Sequence, residues 1–370
     1  MHQAQLEIQF IAIIVAACCA LPGVFLVLRK MAMMSDAISH AILPGIVLAF
    51  FATQDLNHPL LILAAATTGL LTVALVEGIR HTRLIAEDAA IGIVFPALFS
   101  LGVILIAQFA GDVHLDTDAV LLGELAFAPF DRFVIGGTDL GPRSLWIMTG
   151  ILIANMIFIG LLYKELKIAT FDAGLAASLG FTPVILHYCL MGMVSITAVG
   201  AFDAVGSILV VALMVGPAAS AYLITDRLSH LIGLSVLIGI LSALSGYWVA
   251  HLLDVSIAGS MASMVGVAFV CTLFLAPQRG ILAVLYTQRV QKLFFASKML
   301  TIHLANHEGT ADEERESSVD HLEDHLTWSP AFANRVITFS TQKGYVHNEG
   351  NRLSLTERGR ELANEAIVHD

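Results

Sequence analysis

Asp36 and His40 stand four residues apart in an otherwise apolar run, 36–53, long enough to cross a membrane. On a helix that spacing puts both side chains on one face, one turn apart. A carboxylate oxygen beside an imidazole nitrogen is half of a coordination shell for Mn, Fe or Zn. Arg29 and Lys30 mark the nearest membrane interface. At 1.5 Å per residue His40 lies about 15 Å beyond Lys30, near the middle of a bilayer. Ionisable groups at that depth are costly and mark a substrate path. The plainer alternative is a hydrogen bond that only locks two helices. One Asp and one His leave the shell incomplete, and a two-fold dimer would bring a second pair across its axis to make four ligands.

A second stretch, 163–180, is short, amphipathic and set between two apolar runs. Within it Asp172, Ala176 and Gly180 are spaced four apart. A helix with such a small-residue face, lying along the membrane, could dock into a groove of a soluble partner; the alternative is an ordinary interfacial helix. Two histidine pairs, His303/His307 and His321/His325, have i, i+4 spacing near the C-terminus, and Glu323 and Asp324 add oxygens beside the second. His321 and His325 are therefore candidates for a secondary metal site, against a solvated charged helix face. His251 with Asp254 is a further metal candidate, against a satisfied histidine at a span end. Gln108, Asn155, His187 and Asp203 read as helix–helix hydrogen bonds or interfacial groups.

The missing motifs narrow the chemistry. The chain has no Gly-x4-Gly-Lys-Ser/Thr phosphate loop, no His-Glu-x-x-His and no nucleophile elbow. It is not expected to hydrolyse ATP or to be an enzyme by itself, and no permanently bound cofactor is expected. Cys18, Cys19, Cys189 and Cys271 lie in apolar segments without a Cys-x-x-Cys pair, so they read as small buried hydrophobes. The absence of span-placed thiolate pairs argues against Cu(I) and leaves Mn, Zn and Fe open.

The elements that must position these groups are membrane helices. Of 370 residues, 57% are hydrophobic and 13% charged, and the mean hydropathy is +0.81. A soluble domain is usually about 25% charged, so lipid is the better solvent for most of this chain. Nine apolar runs are spans: 8–28, 36–53, 58–79, 89–110, 145–163, 183–201, 205–224, 231–251 and 257–276. The first lacks a basic leader, so it reads as a span and not a cleaved signal. Each odd span is followed by a basic loop, at Arg29/Lys30, Arg80/Arg83, Lys164/Lys167, Arg227 and Arg279, which places those loops in the cytoplasm and the N-terminus outside. The loop 111–143 then lies outside; its apolar piece 119–130 is too short to span and is expected to be re-entrant or interfacial. Small residues, as at 242–246 and 192–200, suit helices that must pack closely without a hydrophobic drive.

The net charge of −11 is uneven: residues 301–370 hold 13 acidic and 6 basic residues, the first 300 hold 17 and 13. Within this tail, 306–318 reads as an acidic linker. Ser329-Pro330 opens a helix that Gly344 stops, Tyr345-Val346 and Leu353-Ser354-Leu355 flank a turn, and a last helix starts at Thr356. The expected fold is an all-α polytopic membrane protein of about nine transmembrane helices with a small cytoplasmic α+β, winged-helix-like tail. The expected divisions are 1–280 for the transmembrane domain, 281–318 for a connecting helix and acidic linker, and 319–370 for the winged-helix-like tail domain. With so many carboxylates the tail starts against repulsion from phosphate, and no nucleic-acid partner is expected.

The motifs, in order, resemble the manganese/zinc/iron permease family of ATP-binding-cassette transporters. The matching residues are Gly23 through Arg29, Lys30 and Met31; Asp36, His40, Pro44 and Gly45; Glu87, Asp88 and Gly92; Leu122, Gly123 and Glu124; Phe171 and Asp172 through Gly180; Val205, Gly206, Gly216 and Pro217; and Pro277 through Gly280. The resemblance covers roughly 8–280. It implies a bacterial inner-membrane importer for a divalent metal ion, in which Asp36 and His40 line the path. It also implies that the segment around 169–180, with Phe171, Asp172, Ala176 and Gly180, is the ATPase-coupling helix. The implied partners are a second permease copy or paralogue, two cytoplasmic ATP-binding subunits that hold the ATP, an extracytoplasmic metal-binding protein and membrane lipid. Residues 319–365, notably Leu353 through Gly359, resemble part of the winged-helix module of metal-dependent, diphtheria-toxin-repressor-like regulators, whose dimerisation and metal-binding helices are not evident here. Two other classes fit the residues alone: a membrane-tethered metal sensor with the tail as output, and an ion-coupled secondary metal transporter.

Overall fold

The computed structural model describes residues 2–54, 58, 60–109, 125–135, 138–319, 321, 326 and 328–368. They divide into two compact units, Met1–Pro277 and Gln278–Asp370. Among them are nine helical segments long and apolar enough to cross a membrane.

The first unit runs α1 (His2–Leu28), α2 (Ala32–Ala41), α3 (Leu43–Thr53), α4 (Leu60–His81), α5 (Glu87–Phe109), a hairpin β1 (Arg132–Ile135) and β2 (Thr138–Pro142), α6 (Arg143–Leu161), α7 (Tyr163–Phe171), α8 (Ala173–Ser178), α9 (Pro183–Val205), α10 (Ser207–Ile224), α11 (Leu228–Leu253) and α12 (Ile257–Leu275). α1 is the central post: Ile11, Val15, Cys18, Cys19, Val24, Phe25 and Leu26 are fully buried against α6, α9, α10 and α11. By contrast α5, α6 and α12 show Ile93, Ile104, Ile157, Val270 and Leu275 on the outside of the unit, the solution lipid permits. Glycine sets the closest approaches. A Cβ on Gly246 of α11 would meet the Met261 backbone of α12, and one on Gly23 of α1 would meet the Met214 carbonyl of α10. Asn155, fully buried in α6, donates to Thr197 Oγ1 of α9 at 2.8 Å, a helix–helix hydrogen bond as its span position suggested.

The second span departs from a continuous helix. It breaks at Ile42, and α3 opens with Pro44 in its first turn. Proline has no N–H to give the carbonyl four residues back, here that of His40, and its ring crowds that oxygen. The break therefore falls beside one of the two candidate metal ligands. Outside the spans, residues 119–124 of the apolar loop piece lie outside the described residues; 125–130 form a turn and a short 3₁₀ helix, with Leu125 buried and Phe127 and Phe130 exposed. Arg132 ties the hairpin down, contacting Glu7 of α1 and Asp139 of β2.

The second unit holds α13 (Ile281–His307), α14 (Glu313–Glu316), α15 (Pro330–Gln342), an antiparallel hairpin β3 (Val346–Glu349) and β4 (Arg352–Leu355), and α16 (Glu357–Val368). Its core joins Ala296, Leu300 and Leu304 of α13 to Val336 and Ile337 of α15 and to Val346, Leu353 and Leu355 of the hairpin. Pro330 sits at the start of α15, and Gly344 takes a left-handed φ of 71° just after it. The helix–hairpin–helix order read from the tail is present.

Candidate functional site

α2 buries Ser35, Ala37, Ile38, Ser39 and Ala41 against the rest of the unit, and the two serines satisfy themselves on the helix backbone at Ala32 and Ser35. Asp36 and His40 therefore fall on the other face, their side chains 38% and 21% exposed. His40 Nε2 lies 3.5 Å from Asp36 Oδ1. An ion about 2.1 Å from each atom would subtend an angle of about 110° between them, the value a tetrahedral site requires. The imidazole is braced from one side by Phe95 and Phe99 of α5, with ring centroids 5.5 and 6.4 Å away. On the other side Asp36 opens on a cleft of about 560 Å³ walled by α10 and α12, where Val215, Gly216, Ala219, Val265 and Gly266 leave space rather than polar partners. The pair offers two candidate ligand atoms, and Asp36 lines the apolar-walled opening.

A second polar group was only partly legible. Arg29, just past α1, donates from Nη1 to His187 Nδ1 at 3.1 Å and from Nε to Thr170 Oγ1 of α7 at 3.2 Å. His187 Nε2 lies 2.6 Å from Glu77 Oε1 of α4. A donor at Nδ1 leaves the ring proton on Nε2, where it faces the carboxylate. His187 thus locks helices, as expected, but Arg29 was read only as an interfacial basic residue and Glu77 was not singled out. The signal available was a carboxylate inside an apolar run, which demands a partner. Through Thr170 the group ties α1, α4 and α9 to the α7–α8 segment.

Residues 1–276 match the model of the ABC 3 transport family. The chain belongs to that family. The zinc transport system membrane protein TroD of Treponema pallidum (strain Nichols) is 44% identical over 358 residues, 97% of this chain and 97% of that protein, so the likeness extends through most of the second unit. The manganese transport system membrane protein MntD of Bacillus subtilis (strain 168) is 46% identical over 270 residues, 73% of this chain and 91% of that one. Among solved structures, PsaBC from Streptococcus pneumoniae in complex with Fab superposes with a TM-score of 0.61 at 30% identity, covering 74% of this chain and 92% of that one. The chain is thus a multi-pass membrane permease subunit, and it carries no ATPase motif of its own.

The α7–α8 segment has a different surface from the one its spacing suggested. Asp172 is the N-cap of α8, its Oδ1 accepting from Leu175 N at 2.9 Å. Ala176 is fully buried, and Gly180 closes the helix with a φ of 87°. These three residues therefore build the α8 turn and share no exposed small-residue face. A helix of six residues is too short for i, i+4, i+8 to form a stripe, so cap, core and stop take those positions instead. The exposed large apolar side chains are Phe171, Leu175 and Leu179.

His251 and Asp254 both line a cleft of about 500 Å³ with Gln5 and Leu125, and His251 stacks on Tyr247 with an interplanar angle of 3°. In the second unit His325, Glu323 and Asp324 lie outside the described residues. His321 is placed against Glu316 of α14, with Nε2 3.0 Å from Oε1, and the same carboxylate is approached by His303 and His307 of α13.

Proposed function

We propose that this permease moves a divalent transition metal ion, Mn, Zn or Fe, across the bacterial cytoplasmic membrane into the cell. Asp36 and His40 bind the ion directly in its path. The observation that carries this reading is their 3.5 Å pairing on a membrane helix, with Asp36 on an apolar-walled cleft and His40 beside a proline break. An ionised carboxylate at that depth gains most when a cation neutralises it. A borderline nitrogen donor beside it selects transition ions over Ca²⁺ or Mg²⁺.

A second permease copy or paralogue completes the shell, an extracytoplasmic metal-binding protein delivers the ion, and two cytoplasmic ATP-binding subunits drive the cycle. Such names as zinc and manganese transport system membrane protein among the relatives support this cargo. The basic loops after the odd spans support an external N-terminus and a cytoplasmic tail. The α7–α8 segment is the coupling element: its exposed Phe171, Leu175 and Leu179 offer a soluble subunit an apolar contact, and Arg29–Thr170 gives that contact a polar link to the spans.

The test is uptake of labelled Mn²⁺ and Zn²⁺ by proteoliposomes holding the assembled transporter. ATP-dependent uptake by the parent and its loss in Asp36→Ala and in His40→Ala are expected. Parental uptake by the double variant would refute the path assignment, and uptake by the permease without any ATPase would support an ion-coupled carrier.

A further inference from the structure

The second unit contains a group of side chains apart from Asp36 and His40. α13 ends with His303 and His307 one turn apart, and after a turn at 308–312 the chain returns as α14. Glu316, the last residue of α14, turns its carboxylate back onto both rings: Oε2 lies 3.4 Å from His303 Nε2 and 4.0 Å from His307 Nε2. His321 reaches the other oxygen, its Nε2 3.0 Å from Oε1. The donor atoms of His303, His307 and Glu316 all lie within 4.8 Å of one another.

We propose that His303, His307, Glu316 and His321 form a binding site for a divalent transition metal ion, separate from the one at Asp36 and His40. Bonds of about 2.0–2.2 Å in a tetrahedron space neighbouring donors about 3.3–3.5 Å apart. The distances from the carboxylate oxygens to the three nitrogens, 3.4, 4.0 and 3.0 Å, bracket that value. A simple ion-pair network explains the group less well. One carboxylate cannot neutralise three imidazolium rings, and Glu316 Oε2 is shut off from solvent while accepting no hydrogen bond from either ring beside it. His321 Nε2 donates to Glu316 Oε1 at 3.0 Å and His303 Nε2 lies 3.3 Å from the Glu316 carbonyl oxygen, so a bound ion displaces these ring protons, and three nitrogens with one oxygen then make a zinc-type set. By the usual order of divalent affinities such a set holds Zn²⁺ more tightly than Mn²⁺.

The location gives the site a consequence. The residues just after Glu316 join the hairpin edge: Leu353 N donates to Ser317 O at 2.9 Å, and Val319 N donates to Asn351 O at 3.0 Å. An ion held between α13 and Glu316 therefore staples the helix that follows the last span to the strand edge of the small module. Occupancy stabilises the segment 308–319 and with it the register of that edge.

The experiment uses the full chain in lipid nanodiscs with Asp36→Ala and His40→Ala as the background, so that the membrane site is silent. Zn²⁺ and Mn²⁺ are titrated, Co²⁺ is used for its ligand-field absorption, and protease cleavage within 308–319 is followed with and without Zn²⁺. One Zn²⁺ per chain, a tetrahedral Co²⁺ spectrum and slower cleavage with Zn²⁺ are expected. Zn²⁺ affinity is expected to exceed that for Mn²⁺ and to fall at least about tenfold in Glu316→Gln and in His307→Ala. His303 is buried and its removal risks the fold, whereas Glu316→Gln keeps the shape and His307 is 35% exposed. A matching metal-free cleavage pattern shows that those two variants are folded. No ion bound by the background chain, or parental affinity in both folded variants, overturns the proposal.

Discussion

Replacing Asp36 by Asn separates charge from shape at the proposed transport site. The amide keeps the size of the carboxylate and one oxygen donor, 3.5 Å from His40 in the parent. It removes one negative charge from a point about 2.1 Å from a dication. Even with the full screening of water, a unit charge and a double charge at that distance interact by about 4 kcal/mol, and a cleft walled by valine, alanine and glycine screens less. Each 1.36 kcal/mol is tenfold in a rate or affinity. A water or the second permease's ligands recover part of the loss, so a fall of at least about 100-fold in metal uptake at limiting ion is the expected result. Asp36→Glu restores the charge but displaces it by about 1.5 Å, beyond the roughly 0.5 Å that a preorganised shell tolerates, and recovers uptake only in part. The assay is initial-rate uptake of labelled Mn²⁺ into proteoliposomes, with ATP hydrolysis and assembly measured in parallel. Uptake by Asp36→Asn within threefold of the parent, in a normally assembled complex, would refute the assignment of the carboxylate as a metal ligand.

Three further outcomes follow from the same geometry. Gly246→Val forces a side chain against the Met261 backbone and should cost about 1–3 kcal/mol of stability, read as a lower thermal midpoint in detergent; an unchanged midpoint would show that α11 and α12 do not hold this spacing. Leu175→Asp with Leu179→Asp removes two exposed apolar side chains of the α7–α8 segment, each contributing about 1.5–3 kcal/mol on full burial, so ATPase co-purification and stimulated hydrolysis should drop at least tenfold. In the second unit, Arg360 hydrogen-bonds Glu308 at 3.1 Å and holds its carboxyl below the usual glutamate range. A depressed folded value means that the contribution is present above the ordinary value of about 4.3 and is lost as the pH falls through the folded one. The tail of the parent should therefore resist protease better than that of Glu308→Gln at pH 7 and converge with it as the pH falls through the depressed folded value, whereas a constant gap would exclude the pair as the cause.

Much of the architecture is a one-dimensional property. Nine apolar runs, basic loops at alternate ends and a polar tail after Pro277 are readable in order, because lipid imposes length and hydropathy on each span separately. The i, i+4 pairing of Asp36 with His40 belongs to the same class, since one helix turn brings the two together whatever surrounds them. The caps of α15 are local too. Two readings that required more than one turn of helix changed. Asp172, Ala176 and Gly180 kept their spacing but not a common face, because α8 closes after six residues. His321 was matched to its neighbour His325, four residues away, yet it is placed against Glu316, with His303 and His307 arriving from α13.

By itself, then, the sequence determined that this chain is a many-spanned membrane protein, where its candidate ligands sit along one helix, and that it has no phosphate loop to hydrolyse ATP. Only the tertiary structure decided which face of α2 is buried, that Asp36 opens on the cleft beside α10 and α12, and that Glu77, His187 and Arg29 meet. It also decided that three histidines from two separate segments surround one carboxylate. The division is physical: burial in lipid and helical periodicity act on neighbours in the chain, whereas a coordination shell is assembled by side chains whose distance is set by packing between helices and not by their separation in sequence.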